Sequence, residues 1–289
     1  MAVIRLWLGV LEIFRKAAIP VVMNVPTSHK LLAEFDAAKV SAQALFRKAA
    51  KQMPSARDVT RQAIQEVLGS PPYDVAFIKD NFSALVHDLQ IRAYGLYLEA
   101  ERRACGPILA EFVATNSTSE SDEGLLRSFS ESFFVLDRFC LSLTQSRRTR
   151  AGAAFETVVT TLFEALGYPY TAQPELSGSK PDFVLPSVAH YGAFATDCLI
   201  FTCKRTLRER WRQVVTEGLT GRAFYLATID EGLSNAELER MKSRNVLVVV
   251  PSLIKAKCYP GILNVIDFES FFDHHLDPAV KRWSANGVI

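Results

Sequence analysis

The sequence predicts an α/β protein with a sheet covered on both faces and a helical region ahead of it. Three observations predict this class. Short β-branched and aromatic runs alternate with helical stretches in the C-terminal half. The central runs are apolar throughout, as in strands buried on both faces. The first third instead carries apolar residues at three- and four-residue spacing, the period of helices packed by one face.

The opening MAVIRLWLGVLEIFRKAAIPVVM is apolar, but Arg5, Glu12, Arg15 and Lys16 interrupt it well short of the roughly 18 apolar residues that a membrane span requires. It reads as an amphipathic helix packed on the protein itself. Helical spacing continues through LLAEFDAAKVSAQALFRKAAKQM, RDVTRQAIQEVLG and FIKDNFSALVHDLQIRAYGLYLEAERRA. Breaks are expected at Pro54, at Gly69 with Pro71 and Pro72, and at Gly106 with Pro107. Residues 1–113 are thus expected to form a helical N-terminal region. Residues 114–124, ATNSTSESDEG, lack apolar periodicity and read as a linker or mobile loop.

Residues 125–289 form the second expected domain. One helix is expected over LLRSFSESFFVLDRFCLSL, and another from about Arg147 to a glycine cap at Gly167. Strands follow at PDFVLP, DCLIFTC, AFYLATI and VLVVVP. Between them lie helices over RERWRQVVTEG and over SNAELERMKSR, the latter capped by Ser234 or Asn235.

Composition narrows the class of function. With 49% hydrophobic and 22% charged residues the chain is an ordinary globular protein, not a disordered one. A net charge of +2 means that any anion-binding surface must arise from local clustering. Cys105, Cys140, Cys198, Cys203 and Cys258 are scattered, odd in number and without CxxC spacing, so neither a disulfide framework nor a zinc site is suggested and a reducing cytoplasm fits. The chain lacks GxxxxGK[ST], HExxH and GxSxG, which leaves ATP-driven translocation, zinc proteolysis and serine hydrolysis without an anchor. The adjacent His274 and His275 have no cysteine or further histidine at metal spacing and read as helix-end or surface residues.

A candidate site emerges from spacing. Asp182, after Pro181, opens one strand, and Lys204 ends the next, 22 residues later. A carboxylate and an ammonium at the ends of neighbouring strands are the skeleton of a magnesium nuclease site, in which the acid holds the cation and the lysine orients water or neutralises phosphate charge. A second acid commonly stands two positions before such a lysine, but that position is Thr202. Glu217, 13 residues beyond Lys204, offers a replacement from the following helix. Glu156 sits against the apolar stripe of Phe155, Val159, Leu162 and Leu166, where a carboxylate needs a partner; a shared metal or a peripheral salt bridge serves. The stretch CKRTLRERWRQVVTEG also places five basic residues between Lys204 and Arg212. A solvated helix face is the ordinary reading of such a run.

Together these residues resemble type II restriction endonucleases of the PD-(D/E)XK superfamily, in the EcoRII, SsoII, PspGI and NgoMIV branch. The likeness is carried by Pro181-Asp182 with Lys204 and Glu217, by KRTLRERWRQV, and by QSRRTRAGAAFE from Gln145 to Glu156. It implies a mixed central sheet flanked by helices, with Asp182 and Glu217 as principal ligands of Mg²⁺, Lys204 as the catalytic lysine and Glu156 as an accessory acid near the metal. It further implies that Arg208, Glu209 and Arg210 read a CC:GG core from the major groove and that Gln145 approaches the inner pairs from the minor groove. Members of this branch act as homodimers on palindromic double-stranded DNA. The residue chemistry agrees, since arginine donates twice to guanine O6 and N7 while glutamate accepts from cytosine N4. Arg147, Arg148 and Arg150, placed at the start of the Glu156 helix, and Arg205 and Arg212 are candidates for DNA-backbone contacts or ordinary surface charge.

The expected reaction is Mg²⁺-dependent hydrolysis of double-stranded DNA at a palindrome with a CCGG or CC(N)GG core, by in-line attack of water and release of a 3′ oxygen. Where a central pair is tolerated its bases are flipped, and Tyr73, Phe77 and Phe82 are candidate wedges, each with core packing as the simpler role. Two other readings remain at this stage: a structure-specific repair or recombination nuclease of the same fold, and a non-catalytic DNA-binding protein on a decayed nuclease.

Overall fold

The computed structural model describes residues 28–116, 121–176, 180–207 and 224–289. The N-terminal amphipathic segment, the RERWRQVVTEG helix and residues 117–120 of the expected linker lie outside these residues. Four helices open the described chain: α1 (Ser28–Ala50), α2 (Ala56–Leu68), α3 (Val75–Asp80) and α4 (Phe82–Asn116). Ser55 starts α2 with a capping box, its hydroxyl accepting from the Asp58 amide while the Asp58 carboxylate accepts from the Ser55 amide. Then come α5 (Asp122–Glu131) and α6 (Phe133–Leu166), the second ending at Gly167 in the left-handed conformation, φ 71°, as the sequence predicts.

Three expected boundaries are corrected. Gly106-Pro107 does not end a helix, because α4 runs through Pro107 to Asn116. The flanking Ala104, Cys105 and Ile108 are buried in the core, and their packing outweighs the backbone hydrogen bond that proline removes. Residues 114–116 and 122–124 of the expected linker are helical, in α4 and α5. The helix expected to begin near Arg147 is the second half of one continuous α6 that begins at Phe133. Arginine is a good helix former, and no glycine or proline lies between Phe133 and Arg150 to break the chain there.

The strands are β1 (Thr171–Ala172), β2 (Phe183–Leu185), β3 (Leu199–Cys203), β4 (Phe224–Ala227), β5 (Val246–Val250) and β6 (Val265–Asp267), joined in sequence order into one sheet. The β1–β2 and β2–β3 pairs are antiparallel; β3 to β6 are parallel. This is the mixed sheet expected from the resemblance. Of its strands, β1 and β6 were not legible as apolar runs. Helices α7 (Val188–Phe194), α8 (Asn235–Lys242), α9 (Ser252–Cys258), α10 (Phe268–Phe271) and α11 (Asp277–Ala285) complete the layers. Ser234 caps α8, again through a capping box.

Strand alternation divides the core. Val184, Ile200, Leu226 and Val248 face Leu238, Met241 and Ile254 of α8 and α9. Phe183, Phe201, Tyr225 and Val249 face a larger cluster that includes Phe155, Val158 and Leu162 of α6 and continues without a gap into Ile64, Ile78, Phe82 and Leu89 of the helical layer. Phe163 is its hub, with ring centroids 5.7 Å from Phe82, 6.3 Å from Tyr168, 5.9 Å from Phe183, 5.3 Å from Phe201 and 6.0 Å from Phe272. Phe82 is fully buried here, so core packing and not a wedge is its role, whereas Phe77 is exposed. Polar clasps reinforce the junction. Ser83 donates through its amide (2.9 Å) and hydroxyl (2.6 Å) to Glu269, and Lys79 pairs with Asp277, which also accepts from the Tyr168 hydroxyl at 2.6 Å. Burial and the Asp277 carboxylate push the Tyr168 hydroxyl far above its usual range.

Because Phe163 joins helical layer, sheet and C-terminal helices, Phe163→Ala is expected to lower stability by about 3–5 kcal/mol, measured as a shift in the urea midpoint. A loss below about 1 kcal/mol would show that the rings around it close the space independently.

Candidate active site

The antiparallel β2–β3 register assembles the site. Phe183 faces Phe201 and Val184 faces Ile200, so one step further Asp182 meets Thr202 at the end of the sheet where Lys204 leaves β3. Asp182, expected to open the strand, stands just before it. The residue is only 7% exposed, and its carboxylate would be costly without donors. Oδ2 has three: the Thr202 hydroxyl at 2.8 Å, the Cys203 amide at 2.6 Å and the Lys204 ammonium at 3.4 Å. Among the described residues Oδ1 accepts no hydrogen bond.

Glu156 reaches the same place from α6. It is half-buried, and its Oε1 accepts from the Gln173 side-chain amide at 3.0 Å. The backbone amide of Gln173 in turn donates to the Asp182 carbonyl at 2.8 Å. Cys203 registers both acids. Burial pushes its thiol well above the ordinary range, the Asp182 and Glu156 carboxylates push it further, and Lys204 opposes them. Two carboxylates and one ammonium predicted from three separate stretches therefore share one locus.

The segment after Lys204 is anchored from β4. The Lys204 amide donates to the Ala227 carbonyl at 2.9 Å, Thr228 donates through its hydroxyl to the Arg205 carbonyl at 3.2 Å, and the buried Leu207 donates through its amide to Asp230 at 2.8 Å. Glu217, Arg208, Glu209, Arg210 and Arg212 lie outside the described residues. Sequence reasoning missed Gln173, Thr228 and Asp230, and considered Thr202 only as a failed ligand. Their signal is a polar side chain at the end of an apolar strand, a pattern too common to single them out.

The remaining basic candidates divide by environment. Gln145, Arg148 and Arg205 are exposed. Arg147 makes a forked contact with the buried carboxylate of Glu101, its Nε lying 3.0 Å from both oxygens. Arg150 donates to Ser146 and lies over the Tyr97 ring, 5.1 Å from its centroid. The expected placing of Arg147, Arg148 and Arg150 at a helix start is corrected. They lie mid-helix in α6, where the backbone amides are already used, so no free amides or dipole end assist them. Arg147, Arg150 and Arg205 nevertheless line one cavity of about 300 Å³ between α4, α6 and the sheet, together with Tyr94, Tyr97 and Glu231.

The donor chemistry suits a hard cation. Carboxylate oxygens are what Mg²⁺ prefers, and it commonly takes only one or two while keeping water. Asp182 and Glu156 present two carboxylates; among the described residues each has an oxygen without a hydrogen bond, and no third acid, histidine or cysteine joins them. Among these residues no helix is long and apolar enough to cross a membrane.

Residues 119–271 match the family model described as EcoRII C terminal. The chain belongs to the EcoRII C-terminal family. All of the acids and the lysine predicted for the site fall within the matched family segment. Among named relatives, the type II restriction enzyme SsoII of Shigella sonnei is 32% identical over 155 residues, covering 50% of this chain and 50% of SsoII. The type II restriction enzyme EcoRII of Escherichia coli is 33% identical over 124 residues, covering 41% of this chain and 30% of EcoRII. The chain thus spans about half the length of SsoII and less of EcoRII. In fold it resembles metal-depleted Ecl18kI in complex with uncleaved DNA, with a TM-score of 0.72 at 24% identity over 84% of either chain. It also resembles the PspGI–substrate DNA complex, with a TM-score of 0.58 at 22% identity over 82% of this chain and 96% of that one. Coverage of 84% carries the shared fold beyond the family segment into the helical layer.

Arg147→Ala is expected to act chiefly on stability. It strands the buried Glu101 carboxylate at a cost of about 1–3 kcal/mol, read as a lowered melting temperature. Arg148→Ala, on the exposed face, is expected to leave melting unchanged.

Proposed function

We propose that the protein is a type II restriction endonuclease that hydrolyses double-stranded DNA in the presence of Mg²⁺, at a palindrome with a CCGG or CC(N)GG core. The observation that carries this reading is the Asp182–Lys204 contact of 3.4 Å at the ends of adjacent strands, in a chain of the EcoRII C-terminal family. Asp182, Glu156 and Glu217 would hold the cation. Bound there, it supplies Lewis-acid polarisation of the phosphoryl group and a more acidic water.

The chain's own residues do the rest. Lys204, about one-third exposed, remains open to solvent beside Asp182 and can neutralise charge that develops on the phosphate. Thr202 and the Cys203 amide take up one oxygen of Asp182, which restrains the carboxylate, and among the described residues the other oxygen accepts no hydrogen bond. The triplet Arg208-Glu209-Arg210 begins one residue after the anchored Leu207. Its chemistry suits two adjacent G·C pairs, with Gln145 reading from the minor groove and Arg148 and Arg205 contacting phosphates. A palindromic site calls for a homodimer, each copy cutting one strand. Such an enzyme acts in the cytoplasm, where the DNA is, and its five unpaired cysteines suit that compartment.

Digestion of a plasmid of known sequence with Mg²⁺, followed by mapping of the ends, tests the proposal. Discrete fragments ending at C-rich/G-rich palindromes are expected, with none in EDTA. Random ends would remove the recognition assignment in favour of a structure-specific nuclease, and binding without cutting would favour a decayed one. Lys204→Ala is expected to slow cutting by at least about 10²-fold at unchanged melting temperature. Arg208→Ala is expected to lose about 1–3 kcal/mol of discrimination between the site and its single-base variants.

A further inference from the structure

The geometry points to Gln173 as a positioning residue that sets the Glu156 carboxylate for the cation. This inference rests on the metal-site reading above and deepens it. Ala172 pairs with Phe183 across β1–β2, so Gln173 is the next residue of the row and stands against Asp182, as Asp182 stands against Thr202. Its two amides do different things. The backbone N–H donates to the Asp182 carbonyl at 2.8 Å, fixing Gln173 to the strand that carries the first acid. The side-chain N–H donates to Glu156 Oε1 at 3.0 Å, fixing the second acid, which comes from a different element of the fold. One residue thus couples two carboxylates that are 26 positions apart in the chain.

Two further features favour a positioning role over an incidental surface contact. Gln173 has φ 46°, in the left-handed region that residues other than glycine, asparagine and aspartate seldom adopt, so this backbone is held against its own preference. The bond also occupies only one oxygen of Glu156, and among the described residues Oε2 accepts none. A carboxylate held by one oxygen and open at the other is oriented for a cation; without the amide, Glu156 is free to rotate toward solvent.

Gln173→Asn isolates the side chain. Asparagine tolerates the left-handed backbone better than glutamine and keeps the N–H to Asp182, but it is too short to reach Glu156. Mn²⁺ alone is titrated into the full chain, and the free ion is followed by its electron paramagnetic resonance signal. Gln173→Asn is expected to weaken Mn²⁺ binding about 10-fold with the metal-free melting temperature unchanged. In the Glu156→Gln background the same change is expected to add nothing. Wild-type affinity in Gln173→Asn, a further loss in the Glu156→Gln background, or a fall in metal-free melting temperature matching the loss of affinity overturns the positioning role and leaves the endonuclease reading standing. Failure of the wild-type chain to bind Mn²⁺ overturns both.

Discussion

The antiparallel pairing of β2 with β3 is the constraint on which the site depends. It is a short ladder, three paired positions, yet it fixes which end of one strand meets which end of the next. Side chains alternate between faces, so a slip by one residue would turn Asp182 toward the aromatic core and bring Phe183 to the polar row. The aromatic side defends the register. Phe183 and Phe201 both pack on Phe163, and neither finds an equivalent partner if the strands slide. Hydrophobic packing on one face thus holds an acid, a threonine and a lysine together on the other.

The same packing explains why the helical layer is not an appendage. Phe82 of α4 lies against Phe163, Phe268 and Phe272, and Ser83 and Lys79 bind carboxylates of the C-terminal helices. Helices from the first third therefore share the core that sets α6 on the sheet, and α6 carries Glu156. Glu156 is thus placed by contacts that reach across the chain. Charge is used in two ways along the same helix. Arg147 and Arg150 are drawn inward to Glu101 and Tyr97, whereas Gln145 and Arg148, on a different face, are left exposed.

Much of the architecture was legible because its signals are local. The runs of β2, β3, β4 and β5 are apolar enough to announce buried strands, and Gly167 and Ser234 announce helix ends. Where reading failed, packing had overruled a local preference. Pro107 sits inside α4 because its neighbours are buried. β1 is only two residues long and β6 ends in Asp267 after two apolar residues, so neither stands out as an apolar run.

The sequence by itself determined the chemistry available: an acid after Pro181, a lysine at the end of the next apolar run, a carboxylate beside an apolar stripe, and a basic segment after that lysine. Those properties belong to residue types and spacings, which a linear chain carries complete. Only the tertiary structure decided that Asp182, Glu156 and Lys204 share one locus, that Thr202 serves as donor to Asp182, and that Gln173 ties the two acids. These outcomes rest on strand register and on contacts between residues far apart in the chain, and the free energy that selects them comes from burying aromatic surface at Phe163 and its neighbours.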